Sequence, residues 1–238
     1  MDLTTGPPPA DVPPRTAGPG PGPAPARVET KWWTFVAMLA VGLLHLLLPE
    51  QLAALGTPEV VAAVVVVLAV VLLIGHDRTF ERRSATLRAV SLLLIGVVVI
   101  ANLISLVLLV RSIVVHGDLS ATNLLLGGAV VWVTNVTAFG FIFWEWDRGG
   151  PVARNHERDS PGQADLLFPQ MTDNSLKVGF VPFFADYLYV SFTNSIAFSP
   201  TDTLPLTRRC KGLFAVESAI AFTTVALVAA RAVNILPS

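Results

Sequence analysis

The chain has 238 residues, a formal net charge of −1, and 53% hydrophobic residues against 14% charged ones. About one quarter of the residues in an average soluble domain are charged, so this composition and a mean hydropathy of +0.64 exclude an ordinary soluble domain. The nearly neutral charge balance gives no basis for a nucleic-acid partner. Three uncharged runs, at 60–75, 89–110 and 119–144, approach or exceed the roughly 20 apolar residues that cross a lipid bilayer. We therefore predict an all-α, polytopic transmembrane helical bundle.

Residues 1–30 precede the first apolar run and are rich in proline and glycine. Nine of the eighteen prolines lie within residues 1–27. A segment with so few apolar side chains cannot bury a core of its own. We predict that it is a disordered cytoplasmic tail.

Residues 31–146 form the predicted four-helix transmembrane part. The first apolar run follows Trp32 and Trp33, a pair typical of the membrane interface. The second begins at Pro58, because proline is well suited to the first position of a helix. The four runs cover about 34–49, 58–74, 86–110 and 121–146.

The C-terminal part consists of a polar cytoplasmic loop, 147–177, and a segment, 178–238, that ends in the last transmembrane helix at about 208–236. Residues 178–198 either cross the membrane or enter it and return on the same side. Their length permits a crossing, whereas Pro182 and Asp186 permit a broken, re-entrant helix. The prediction is therefore five crossings and one segment that either spans the bilayer or re-enters.

The distribution of Lys and Arg predicts the orientation, because cytoplasmic loops are enriched in both. A cytoplasmic N-terminus places twelve of the sixteen basic residues inside if 178–198 crosses, and fourteen if it re-enters. Thirteen of the sixteen are Arg, and Ala and Val dominate the apolar runs, a bias common in GC-rich bacterial genomes. The predicted location is a bacterial inner membrane.

Ionisable side chains inside a bilayer cost roughly 2.5–3.5 kcal/mol on insertion scales, so they usually have a partner or a function. Asp186 and Glu217 are the candidate proton- or cation-binding groups, and Tyr187, Thr193 and Asn194 are expected to orient them. The alternative is that such polar residues only link helices by hydrogen bonds. The full set of candidate permeation or ion-binding residues is Asp186, Tyr187, Thr193, Asn194, Ser195, Ser199, Thr201, Asp202 and Glu217.

Residues 186–235 carry hydroxyls at 191, 193 and 195, then the spacing D-x-x-P at 202–205, then a long apolar helix. This segment resembles the pore helix, filter flank and inner helix of potassium channels. The whole chain resembles a family of uncharacterised bacterial multi-pass membrane proteins that end in such a degenerate pore loop. The clustered polar residues of this segment motivate the hypothesis of a permeation or transport function.

The filter itself departs from the potassium-channel pattern. Alignment on Asp202 places residues 198–201, Phe-Ser-Pro-Thr, where the family has Val-Gly-Tyr-Gly. Those glycines allow consecutive carbonyls to face the pore, and proline cannot adopt the required backbone. A carbonyl-lined potassium filter is therefore not expected. In the alternative interpretation, the segment is a tight connection and Thr207 caps the last helix.

Two functions remain as hypotheses. The first is permeation or transport of a monovalent cation or a proton, with a homo-oligomer as a candidate assembly. The second is a non-transporting scaffold that binds another membrane protein or a lipid. Nucleotide-binding, hydrolase and metalloprotease motifs are missing, and Cys210 is the single cysteine, so we expect neither an enzyme, nor a metal, nor another cofactor.

Overall fold

A computed structural model describes residues 31–54, 56–75, 84–116, 119–156, 164–172, 180–197 and 202–235. The predicted tail and the candidate residues Ser199 and Thr201 lie outside these residues. The described part is almost entirely helical, with one pair of two-residue strands. The helices are α1 (Lys31–His45), α2 (Pro58–Gly75), α3 (Ala85–Arg111), α4 (Ala121–Trp146), α5 (Pro151–His156), α6 (Phe184–Ala197) and α7 (Arg208–Ile235), and the strands are β1 (Leu166–Leu167) and β2 (Leu204–Pro205).

Four of the described helices, α2, α3, α4 and α7, are long and apolar enough to cross a membrane. The predicted all-α, multi-pass architecture is thereby confirmed. The predicted count of five crossings is not, because α1 has 15 residues and reaches only about 22 Å at 1.5 Å per residue. The hydrocarbon core of a bilayer is about 30 Å thick.

The helix boundaries follow from local sequence. α2 begins at Pro58, as predicted. The Ser84 hydroxyl accepts a hydrogen bond from the Leu87 N–H at the start of α3. The predicted cap at Thr207 is also confirmed, because its Oγ1 accepts from the Cys210 N–H at 3.3 Å. α4 ends where the chain turns through left-handed backbone at Arg148 and the two glycines that follow it.

α4 lies at the centre of the bundle and contacts α3, α6 and α7. Its span is 67% buried inside the protein, against 33% for α2 and 22% for α7. Two glycines let its neighbours approach closely. A Cβ at Gly140 would lie 3.2 Å from Leu188 Cα of α6, and a Cβ at Gly128 would lie 2.6 Å from Val228 Cγ2 of α7. The outer faces of the peripheral helices carry exposed apolar side chains, as contact with lipid requires.

α4 ends at Trp146, and we call this end of the bundle the "loop end". α6 starts there, because the Tyr187 hydroxyl donates to Asp147 Oδ2 at 2.6 Å. Further along α6, the ring of Phe192 lies 5.9 Å from the ring of Trp132, more than halfway back along α4. α6 therefore runs inward from the loop end.

α7 starts at the loop end as well. β1 pairs antiparallel with β2, so Leu166 of the polar loop lies opposite Pro205. The Leu206 N–H donates to the Asp165 carbonyl at 2.8 Å. α6 and α7 consequently enter the bundle from the same end and run in the same direction. Of the two alternatives for residues 178–198, this geometry favours the segment that enters and returns.

A thiol-accessibility experiment tests this geometry. On a Cys210→Ala background, we expect Lys211→Cys to react with a membrane-impermeant reagent from the face opposite to Glu50→Cys, because both sites are exposed and lie at opposite ends of the bundle. Arg158→Cys, in the predicted cytoplasmic loop, is the matched control for the Lys211 side. Reaction of Lys211→Cys from the Glu50 face would show that 178–198 crosses instead.

Candidate functional site

The most buried carboxyl of the described helices is Glu217 on α7, whose exposed fraction is 0%. Three side chains of α6 surround it. The Asn194 amide donates to Glu217 Oε2 at 2.8 Å, and the Ser195 hydroxyl donates to Oε1 at 3.2 Å. Ser191 Oγ is also hydrogen-bonded to Oε1. Residues spaced three and four apart share one helix face, so α6 presents these groups as a single cluster, the Glu217 site.

Ser191 links the Glu217 site to α4. Its Oγ lies 2.6 Å from the carbonyl oxygen of Val136, in addition to its contact with Glu217. A hydroxyl has one proton to donate. When that proton points to the Val136 carbonyl, the contact with Glu217 is satisfied only if the carboxyl donates to Ser191. The geometry thus accommodates a protonated Glu217 carboxyl that donates a hydrogen bond to Ser191.

Two further polar side chains complete the Glu217 site. Asn135 of α4 donates through Nδ2 to the Glu217 backbone carbonyl at 3.3 Å, and its Oδ1 is buried without a hydrogen-bond partner. Ser218 donates to Asn194 Oδ1 at 3.2 Å. Within the described ranges, Lys, Arg or His side chains do not form an ion pair with Glu217. Its carboxyl is therefore held only by neutral groups.

Of the predicted site residues that the structure describes, Asn194, Ser195 and Glu217 come together in this cluster, and the remaining four lie elsewhere. Asp186 accepts from the Phe183 N–H at 2.7 Å and so caps the start of its own helix. Thr193 donates to backbone carbonyls of α6, at 3.0 Å from the Tyr189 and Val190 oxygens, and does not orient the carboxyl. Asp202 is exposed near β2.

Tyr187 belongs to a second cluster at the loop end, centred on the buried Asp147. The Asp147 carboxylate accepts from the Tyr187 hydroxyl, from Arg148 Nη1 at 3.0 Å, and from the Asp165 and Leu166 N–H groups at 2.9 and 3.2 Å. The Arg154 guanidinium lies 4.9 Å from the centre of the Tyr187 ring. A charged group with this many donors is well compensated, so Asp147 anchors the loop.

Asp165 extends this anchor to the start of α7. Its carboxylate accepts from Arg209 Nε at 2.8 Å and Nη2 at 2.5 Å, the bidentate geometry of a strong ion pair. The Thr207 hydroxyl donates to the same carboxylate. The sequence analysis did not identify Asp147 or Asp165 as buried residues. Residues 147–177 are polar and lack a helical or strand periodicity, so the sequence indicated a solvated loop.

Glu145 is a third buried acid that the sequence analysis did not single out. It is 4% exposed and accepts from the Ser91 hydroxyl at 3.3 Å, and the Arg88 guanidinium lies 3.6 Å away. In the sequence, its position next to Trp146 is typical of a residue at the membrane–water interface. Only the packing of α3 against α4 buries it.

Metal chemistry has no basis in the described residues, since they contain no group of three or more His, Cys, Asp or Glu that could hold an ion. The expectation of no cofactor stays a prediction. In comparisons with known proteins, no family model, no curated protein and no solved structure matches this chain. The resemblance to a potassium-channel pore loop likewise stays a prediction.

The Tyr187–Asp147 hydrogen bond makes a specific prediction about stability. We expect Tyr187→Phe to lower the free energy of unfolding by about 1–3 kcal/mol, because it removes a donor from a buried carboxylate. Tyr189→Phe is the matched control, since Tyr189 is 53% exposed. The measurement is the thermal unfolding midpoint of both variants in the same detergent. Equal midpoints would contradict a structural role for the Asp147 cluster.

Proposed function

We propose that this chain is a multi-pass membrane protein that moves a proton across the bilayer through the contact between α6 and α7, with Glu217 as the proton-binding group. The observation that carries the proposal is the complete burial of the Glu217 carboxyl among neutral donors, inside a helix apolar enough to span the membrane. Such a group costs free energy in the bilayer and is by default a functional candidate.

The depth of Glu217 supports this role. It lies nine residues after Arg208, which at 1.5 Å per residue is about 14 Å from the start of α7. The hydrocarbon core is about 30 Å thick. If the start of α7 lies at one membrane–water interface, Glu217 is close to the middle of the bilayer. A proton-carrying group at that depth is accessible to protons from both sides of the membrane.

The charge distribution supports a cytoplasmic loop end. Among the described basic residues, Arg111 and Arg231 belong to the opposite end of the bundle. The others, at the loop end, are Lys31, Arg88, Arg148, Arg154, Arg208, Arg209 and Lys211. Lys and Arg are enriched on the cytoplasmic side. The N-terminus is then cytoplasmic, α6 is a re-entrant helix from that side, and the membrane is the inner membrane of a bacterium.

The fifth crossing belongs to this proposal and is assigned to α1. Helical turns continue beyond His45, since the N–H groups of 46, 47 and 48 each donate to the carbonyl three residues earlier at 3.0–3.1 Å. This lengthens the apolar helical stretch to about 18 residues. Lys31 and the tryptophans beside it suit the cytoplasmic interface.

A buried stripe of α6 supplies the route between the loop end and Glu217. Tyr187, Ser191 and Asn194 follow one another at helical spacing, each 2% exposed or less. On α4, Asn135 Oδ1 and Thr134 Oγ1 are buried without partners, and such atoms commonly bind ordered water. Close packing along this stripe favours a proton passed between hydrogen-bonding groups over a hydrated K⁺ or Na⁺ ion.

Flux through liposomes tests the proposal. We expect the purified protein to carry protons down an imposed gradient, and Glu217→Gln to slow that flux about tenfold or more, because a positioned proton-transfer group contributes about 10²–10⁴-fold. Glu59→Gln is the matched control, since Glu59 is exposed at the start of α2. Parallel assays with K⁺ and Na⁺ should give the background of empty vesicles.

The competing hypothesis, a non-transporting scaffold that binds a lipid or another membrane protein, predicts background flux for all three ions. That result, with folded protein in the vesicles, would overturn the proposal. If Glu217→Gln left the proton flux unchanged, a group other than Glu217 would carry the proton.

A further inference from the structure

Three buried polar atoms in the middle of the bundle have no hydrogen-bond partner among the described residues. They are Ser105 Oγ of α3, and Thr134 Oγ1 and Asn135 Oδ1 of α4. Each of these side chains is 1% exposed or less. A buried hydroxyl or amide without a partner costs free energy, and ordered water commonly satisfies such groups in proteins.

Helix geometry places Ser105 and Thr134 in the contact between α3 and α4. These helices run in opposite directions and are joined near the loop end by the hydrogen bond from Ser91 to Glu145. Ser105 follows Ser91 by 14 residues, close to four turns, and so lies on the same face of α3. Thr134 precedes Glu145 by 11 residues, close to three turns, and so lies on the same face of α4. At 1.5 Å per residue, the two side chains are within about 5 Å of the same depth in the bundle.

Two amides lie beside these hydroxyls. Asn102 of α3 is 4% exposed and follows Ser91 by 11 residues, so it is level with Thr134. Asn135 adjoins Thr134 on α4, and its Nδ2 donates to the Glu217 backbone carbonyl at 3.3 Å. Asn135 thus links the contact between α3 and α4 to the Glu217 site.

α7 supplies a third hydroxyl at this depth, because α7 contacts both α3 and α4. Val228 of α7 packs against Gly128, where an added Cβ would lie 2.6 Å from Val228 Cγ2. Thr224, one turn before Val228, is therefore within one turn of the level of Thr134. Its side chain is 1% exposed, and its hydroxyl donates to a carbonyl of its own helix, so the oxygen can also accept from water. It lies seven residues, about 10 Å, beyond Glu217 in the direction away from the loop end.

We call this set of five neutral side chains the polar band, namely Asn102, Ser105, Thr134, Asn135 and Thr224. The helix segments that meet there, 101–106, 128–136 and 217–228, lie entirely within the described residues. A buried water typically makes about three hydrogen bonds and both donates and accepts. Hydroxyls and amides on opposed helices supply partners of both kinds.

We propose that water molecules bound by the polar band form the second half of the proton path, between Glu217 and the end of the bundle opposite to the loop end. This inference rests on the proposed function and names the occupant of its outer half. Each water in the chain accepts one proton and releases one, so the number of bound protons is the same after each transfer.

Thr134→Val tests the inference in the liposome assay, because it keeps the shape of the side chain and removes the hydroxyl. We expect proton flux to fall about three- to tenfold, the effect of removing one hydrogen bond from the path. Thr134→Ser keeps the hydroxyl and should retain the flux. Thr137→Val is the matched control and should leave it unchanged, since the Thr137 hydroxyl donates to the Val133 carbonyl of its own helix at 2.9 Å.

Hydroxyl-radical footprinting measures hydration independently of transport, because radicals formed from water oxidise thiols that lie beside it. On the Cys210→Ala background, we expect Ser105→Cys to be oxidised several times faster than Ala138→Cys. Ala138 is the matched control, since it is 2% exposed and lies in the apolar core with Val98.

Equal oxidation rates of the two thiols would overturn the inference, whatever the flux. Proton flux that depends on Glu217 but is unchanged by Thr134→Val, with a higher thermal unfolding midpoint, would also overturn it and leave the proposed function intact. A purely structural threonine gives that result, because valine removes an unsatisfied polar group. Absence of flux in the unmodified protein would contradict the proposed function and the transport role of the water, and fast oxidation of Ser105→Cys would then still support the water-binding site.

Discussion

The hydrogen bonds between α6 and the buried acids Asp147 and Glu217 hold the C-terminal half of the protein together. A carboxyl inside an apolar bundle has no water to solvate it, so its donors must come from neighbouring helices. α6 supplies Tyr187 as one of the four donors to Asp147, and residues 191–195 as the donors to Glu217. This requirement sets both the rotation of α6 about its axis and its depth along α4.

The direction of α7 follows from the same constraint. Asp165 binds Asp147 through its backbone N–H and Arg209 through its carboxylate, so the start of α7 is held at the end of α4. With α6 already entering at that end, the two helices run in parallel. The resemblance to a potassium-channel pore loop stays a prediction, since the comparisons found no family, relative or solved structure that bears on it.

Sequence patterns predicted the helical bundle, the start of α2 at Pro58 and the cap at Thr207, because each depends on residues close together in the chain. Part of the site was predictable on the same basis, since Asn194, Ser195 and Glu217 stand out as polar residues in apolar surroundings. Asp186 stands out equally, yet it bonds to its own helix. Composition does not distinguish a capping acid from an acid that faces another helix.

The sequence by itself determined that the chain is an apolar helical protein with its basic residues concentrated in particular loops. Hydropathy and charge are properties of single segments, so they can be determined from the sequence without knowledge of the tertiary structure. Only the tertiary structure decided which end of the bundle α6 enters and which acids it binds. The partners are 40 residues apart for Tyr187 and Asp147 and 26 apart for Ser191 and Glu217. Contacts over such separations depend on how α4, α6 and α7 pack, because no local preference of the chain specifies them.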